Sequence, residues 1–319
     1  SSCLLTGCTT SSAKKVDSKY VVASLEKGNK TKNIFADNLY KDIIDNSSNN
    51  STVFNAVLQN LVDQKFPVND DMKEDAATII KQIKSAYKSN YGDNYKDSLN
   101  QALTSAGYKN LSEYRQRMIK QIQYANFLLD YIDDHFDDVF NDYYQQCAPK
   151  YVSLIKISVS DTSSPTDDET SKLNEVKELI SNTDKSFGDI AQDYSDDSTS
   201  SKKGSLGIVD SKDTSGIANS YGKDVFNAIE ALSEGQVSDV ITGDNGYYFV
   251  KVTSTDKKTL KKELKKTDID SPLLAYDDYL QYVVYNSYKI NYKDKDIKKI
   301  VQEVVNKALE ERKTERGEA

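Results

Sequence analysis

The chain has 319 residues, is 37% hydrophobic and 29% charged, and carries a net charge of -8. That length accommodates two or three domains, and no apolar run past the first few residues approaches the roughly 20 needed to span a bilayer. The acidic balance argues against nucleic acid as a partner, because phosphate backbones are gripped by Lys and Arg. Tyr at 22 outnumbers Phe at 9 and Trp is absent, so apolar surfaces are wet at the tip and suited to holding polypeptide loosely.

The first residues, SSCLLTGCTTSSAKK, begin without Met and read as the end of a hydrophobic signal followed by a polar tether, which assigns residues 1–18 to signal remnant, lipobox and tether. Leu5 to Cys8, LTGC, resembles a bacterial lipobox. The resemblance implies a diacylglyceryl group on Cys8, loss of residues 1–7, and attachment to the outer face of a membrane by two acyl chains. The alternative is an ordinary signal peptide with an incidental Cys8. Without Cys3, Cys147 is the one thiol left, so no intramolecular disulfide is available outside the cell and stability rests on packing.

Residues 19–149 read as a helical segment after a short strand at Val21–Leu25 and a turn. Apolar residues recur at Phe35, Leu39 and Ile43, then at Phe54, Val57, Leu58, Leu61 and Val62. Asn69 and Asp70 suit a helix start, and Asn110 with Glu113 forms a capping-box pattern opening the longest helix, which Pro149 closes. The single histidine, His135, sits among Asp133, Asp134, Asp137 and Asp138. With one imidazole a multi-histidine zinc site is excluded, and the cluster reads as a solvated acidic helix face in preference to a metal or proton site.

Residues 150–253 change period. Tyr151–Val159 alternates as a strand, with Ile155, Ile157 and Val159 on one face and Leu154 and Lys156 on the other. Two helical stretches follow, then the polar stretch SDDSTSSKKGSLG at Ser195–Gly207, a helix near Asp224–Leu232, and two short strands about the turn at 243–246. One strand, several helices and a closing hairpin in about 100 residues make a compact α+β domain. Composition alone leaves Ser195–Gly207 open as linker, phosphate cradle or site rim. Residues 254–310 return to helix, with Ser271 and Pro272 in N-cap order and a stripe at Ile297, Ile300, Val301, Val304, Val305 and Ala308 that needs a partner surface. The N-terminal helices are the partner expected, which makes the fold α+β overall: a mostly helical domain built from both terminal segments around an inserted α+β domain, with 311–319 as a disordered tail.

The middle segment resembles the parvulin-type peptidyl-prolyl isomerases. FGDIAQDYSDDSTSSKKGSLG, ALSEGQVSDVI and NGYYFVKV match that family's blocks in order, and the lipobox with flanking helices resembles the PrsA-type extracellular foldases of Gram-positive bacteria, with a SurA-like N-terminal region. The resemblance makes Ser195–Gly207 the rim of the active cleft, with Gly204 and Gly207 setting its turn. It implies catalytic positions at Leu154, Asp197 and Tyr248, where the family carries histidine, an acid or thiol, and histidine. It implies substrate-binding positions at Tyr221, Val225, Phe226 and Ser238. Both imidazoles are replaced, and neither a Leu side chain nor a single phenol reproduces two ring nitrogens. Isomerase activity is therefore expected to be weak or absent, with Asp197 turned to water. No cofactor or metal is expected. The partners the resemblance implies are unfolded or partly folded secreted proteins, the membrane through Cys8, and a second copy of the chain in a homodimer. An active isomerase is the second reading, and a solute-binding lipoprotein a third that the long helical region disfavours.

Overall fold

The computed structural model describes residues 14–265 and 268–318. In chain order the strands and α-helices are β1 (Lys14–Val16), β2 (Lys19–Lys27), β3 (Lys30–Phe35), α1 (Ala36–Asp45), α2 (Asn50–Lys65), α3 (Asp70–Tyr91), α4 (Tyr95–Ser105), α5 (Leu111–Asp134) and α6 (Phe136–Cys147). Next come β4 (Lys150–Ser158), α7 (Asp167–Asn182), α8 (Phe187–Tyr194), β5 (Ser205–Val209), α9 (Ile217–Tyr221), α10 (Lys223–Ala231), β6 (Ile241–Gly243) and β7 (Gly246–Ser254). Helices α11 (Lys257–Leu264), α12 (Leu280–Asn286) and α13 (Lys295–Glu315) complete the chain. The fold class is α+β, as the periodicities predict. Among the described residues no helix is long and apolar enough to cross a membrane. Cys8 and the rest of the lipobox lie outside the described residues.

The chain divides into two compact units, residues 1–67 with 281–319, and residues 68–280. In the first, β1, β2 and β3 form an antiparallel sheet in that order, the β2–β3 turn using Gly28 at φ +61°. Helix α1 follows β3 directly, but its apolar residues Leu39, Tyr40 and Ile43 remain exposed. Helix α2 buries Val53, Phe54, Leu58 and Val62, and α13 buries Ile300, Val301, Val305 and Ala308; the two helices pack together. Phe54 also stacks on Tyr282 of α12 at 5.2 Å and meets Tyr285 of α12 edge-on at 5.3 Å. The Tyr40 hydroxyl donates to Asp294, the N-cap of α13. Residues 311–319 were expected as a disordered tail, yet α13 runs to Glu315, helped by the exposed pairs Lys307–Glu311 and Glu310–Lys313 at helical spacing.

In the second unit the Asn69 side chain accepts from the Met72 N–H at 2.9 Å to start α3, and Asn110 accepts from Glu113 N–H at 2.9 Å to start α5. The Glu113 carboxylate reaches the Lys109 N–H, one residue before the one a capping box uses. The long helix stops at Asp134, and His135 separates it from α6. His135 stacks on Tyr131 at 4.1 Å. The second sheet has order β5-β4-β7-β6, all antiparallel. One face buries Ile155, Ile157 and Phe249 against α7 and α8; the other buries Val152, Leu154 and Val250 with Val225 and Ile229 of α10. Helix α6 is fixed to this domain: the buried Tyr143 hydroxyl donates to Asp210 at 2.7 Å, and the Ser211 N–H to the Cys147 carbonyl at 2.8 Å. These bonds place residues 68–149 in one unit with 150–280, whereas the sequence pattern groups them with the terminal segments. Ser271 caps only a short 3-10 turn at Pro272–Leu274. Cys147 is fully buried.

Candidate functional site

The polar stretch after α8 is tied to the sheet. The Asp196 N–H donates to the Lys156 carbonyl at 2.8 Å, its carboxylate accepts from Ser158 N–H at 2.8 Å and pairs with Lys172 at 2.8 Å, and Ser195 Oγ accepts from Lys156 N–H at 3.1 Å. Asp197 then caps a 3-10 turn at Ser198–Lys202, accepting from Thr199 N–H at 3.1 Å and Thr199 Oγ1 at 2.6 Å. Gly204 follows at φ +78°, its carbonyl accepting from Leu154 N–H at 2.8 Å. A Cβ there would lie 2.4 Å from the Leu154 carbonyl oxygen and 2.8 Å from the Ala191 Cβ, so the stretch lies this close to β4 only because this residue has none. Ser195–Gly207 is thus an ordered stretch held to β4 by backbone and side-chain hydrogen bonds.

Across from it, Asp213 accepts from the N–H groups of Ile217 at 2.7 Å and Ala218 at 2.9 Å, which starts α9, and α9 ends at Tyr221. The Tyr221 hydroxyl donates to Asp197 at 3.1 Å. Asp197 was expected to turn to water for want of imidazole partners; a phenol supplies one instead. Burial first, then the negative charge and hydrogen bond of Asp197, push the Tyr221 hydroxyl up to about 12. Tyr248, on β7 between Lys156 of β4 and Ile241 of β6, is 5% exposed and meets Tyr221 edge-on at 6.1 Å. The Lys156 ammonium lies 5.9 Å from the Tyr248 ring centre. Gly243 leaves room for that ring, since a Cβ there would come within 2.7 Å of it.

Tyr221, Val225 and Tyr248 line a cleft of about 410 Å³ with Ile241, Gly243 and Asn245. The structure therefore brings three of the seven expected site residues to one cavity, with Asp197 bonded to one of them. Leu154 is fully buried inside the core with Val152 and Val250 and does not line the cleft. Phe226 is half-buried against the same core. Ser238 is spent on backbone: its N–H donates to the Val250 carbonyl at 2.9 Å and its Oγ accepts from Val250 N–H at 3.0 Å. It fastens the segment before β6 to β7. Sequence reasoning missed Ile241 and Asn245, whose only signal was their place on the hairpin leading to Tyr248.

Chemically the cleft sets the apolar side chains of Val225, Ile241 and Tyr248 beside polar ones such as Asn219, Lys223 and Asp244, with Tyr221 bonded to Asp197, and no imidazole lines it. A family model for the PPIC-type PPIase domain, the rotamases, matches residues 154–254. The chain is 32% identical over 141 residues to the foldase protein PrsA of Staphylococcus epidermidis and to that of Staphylococcus aureus strain MRSA252. Each match covers 42% of this chain and 41% of the relative, so less than half the length of these curated relatives is spanned. Solved structures of PrsA from Bacillus subtilis and from Streptococcus pneumoniae are similar at TM-score 0.40, with 22% and 20% identity. They cover 89% and 88% of this chain, and 98% and 99% of theirs.

Proposed function

We propose, from the premise that residues 154–254 are a PPIC-type peptidyl-prolyl isomerase domain in a PrsA-like chain, that the protein is a foldase whose isomerase cleft is degenerate. It holds unfolded or partly folded secreted proteins at the outer face of a membrane, anchored through diacylglyceryl on Cys8, and works as a homodimer. The single observation carrying the degenerate reading is Leu154, an alkyl side chain fully buried where the family resemblance puts an imidazole.

Turning an X-Pro bond means lowering a barrier of about 18–20 kcal/mol that comes mostly from amide resonance. An enzyme does this by binding the twisted amide better than the planar one. The cleft can seat a proline ring on Val225, Ile241 and Tyr248. The Tyr221 hydroxyl is already committed to Asp197, which leaves little to follow the amide as it twists. Binding without turnover is the outcome, and holding clients falls to apolar surface elsewhere in the chain.

A proline-peptide assay on the wild type beside Asp197→Ala tests the cleft. Rates at the uncatalysed level in both are expected, and robust activity abolished by the substitution overturns the degenerate reading in favour of an active isomerase. Refolding of an aggregation-prone secreted protein tests the foldase. Full protection by the wild type and by Tyr221→Ala is expected, and no protection by the wild type overturns it. Point variants serve better than excising 151–253, because excision strips Tyr143 and Cys147 of their buried partners.

A further inference from the structure

Among the described residues, eight of the nine exposed large apolar side chains fall between Val16 and Ile43, on the β1–β3 sheet and α1. Residues 14–35, the sheet with its turns, hold six lysines against two acids in a chain of net charge -8. The register sorts them. Residues opposite each other across antiparallel strands share a face, and neighbours along a strand alternate. Ala23 pairs with Ile34, Leu25 with Lys32 and Lys27 with Lys30, so these six share one face. An irregularity between Val21 and Ala23 shifts the alternation by one, since their partners Phe35 and Ile34 are adjacent; Tyr20 and its partner Lys15 therefore join the same face. The Lys15 ammonium lies 4.7 Å from the Tyr20 ring centre.

That face is wholly exposed, with Leu25 at 66%, Ile34 at 46% and Tyr20 at 41%, and it carries no carboxylate. Glu26 points to the other side, where Val21, Asn33 and Phe35 are half-buried. Lysines directly opposite each other, as Lys27 and Lys30 are, repel in water and are relieved by an anionic counter-surface. Leu and Ile beside Tyr and Lys, the latter reaching outward with its charge, is the chemistry of a lipid–water boundary. A second copy of the chain meeting the face about a two-fold axis would bring the same four lysines against these, which disfavours it. The sheet also begins at Lys14, six residues after Cys8.

We propose that this face of the β1–β3 sheet docks flat on an anionic lipid surface, Leu25, Ile34 and Tyr20 entering the headgroup layer while Lys27, Lys30 and Lys32 meet lipid phosphates. It rests on the membrane-facing placement proposed above, but needs no acyl chain. Docking orients the protein at the surface where the acyl chains alone would leave it swinging on its tether.

The test uses the full chain with Cys8→Ser, so that no lipid is attached, and sedimentation with vesicles of phosphatidylcholine alone or mixed with phosphatidylglycerol. Binding to the anionic vesicles at low salt is expected, with loss at high salt. The triple variant Lys27→Gln, Lys30→Gln, Lys32→Gln should bind at least about tenfold more weakly. Leu25→Ser should bind about fivefold more weakly through lost apolar insertion. All these side chains are exposed, and unchanged far-ultraviolet circular dichroism verifies folding. Absent wild-type binding, equal binding to neutral vesicles, or an unaffected triple variant overturns the proposal. So does a homodimer, or the capture of a permanently unfolded polypeptide, that these variants abolish while wild type leaves vesicles unbound. Failure of the refolding assay instead defeats the foldase reading and leaves the vesicle result intact.

Discussion

The Tyr221 hydroxyl donates to the Asp197 carboxylate at 3.1 Å, joining the end of α9, which lines the cleft, to the loop after α8. Burial first, then Asp197, raises this phenol from its ordinary 10.0 to about 12. Because the folded value is the higher one, the stability this contact contributes is complete below pH 10 and is lost as pH climbs toward about 12. Tyr221→Phe should cost about 1 kcal/mol at neutral pH, the size of an ordinary hydrogen bond. It should also flatten the fall in melting temperature between pH 9.5 and about 11.5 relative to wild type. Parallel pH dependences in the two proteins would show that the phenol is not held by the carboxylate.

The strands of the middle domain were legible because alternation is strict there: Leu154 and Ile155 do face opposite ways. Caps at Asn69 and Asn110 were legible because one side-chain oxygen at the right offset suffices. The Tyr221–Asp197 contact was not, since 24 residues separate the partners and nothing local records it. Nor was the joining of α6 to the middle domain, which depends on Asp210 lying 67 residues beyond Tyr143. Ser238 misled for the opposite reason: the motif match marks a hydroxyl, while that hydroxyl's use by the Val250 N–H is a fact of packing.

Restoring the imidazoles tests whether their loss explains a silent cleft. The double variant Leu154→His, Tyr248→His should raise turnover of a proline peptide at least about tenfold, a gain a general acid–base or hydrogen-bonding group commonly supplies. The cost falls at residue 154, which is fully buried among Val152 and Val250, where a ring nitrogen without a partner destabilises by about 2 kcal/mol. Activity and urea midpoint are therefore expected to move in opposite directions. A folded double variant with wild-type rates would place the defect in the geometry of the cleft.

The two glycines of the Ser195–Gly207 stretch should respond unequally to alanine. Gly204 and Gly207 both have positive φ, at +78° and +75°, so each substitution carries about 1–2 kcal/mol of backbone strain. A Cβ on residue 207 meets nothing within 4 Å, whereas one on residue 204 strikes the Leu154 carbonyl at 2.4 Å. Gly204→Ala should thus cost roughly 3 kcal/mol or more, with loss of the Leu154 N–H to residue 204 carbonyl bond visible as faster amide exchange. Equal melting temperatures for the two variants would mean that the stretch does not approach β4 this closely.

Asp210 is 1% exposed, yet it is well supplied with donors: the Tyr143 hydroxyl at 2.7 Å on one oxygen, and Lys212 N–H, Thr214 N–H and Thr214 Oγ1 at 2.9–3.1 Å on the other. The Tyr143 hydroxyl is raised well above its ordinary value, by burial first and then by the Asp210 charge. Removing the acceptor strands several buried donors at once, so Asp210→Ala should cost about 3 kcal/mol or more. Tyr143→Phe leaves the carboxylate its three other donors and should cost only about 1 kcal/mol. Asp210→Asn keeps one acceptor oxygen, which can serve the Lys212 and Thr214 donors while its amide nitrogen turns to Tyr143, and should fall between. Because the contact fixes α6 to the strand before Asp210, amide exchange in Asp210→Ala should quicken in α6 and β5 together. Acceleration confined to β5 would show that α6 is held to the domain by other contacts, such as the Tyr276 hydroxyl donating to Asp142 at 2.7 Å.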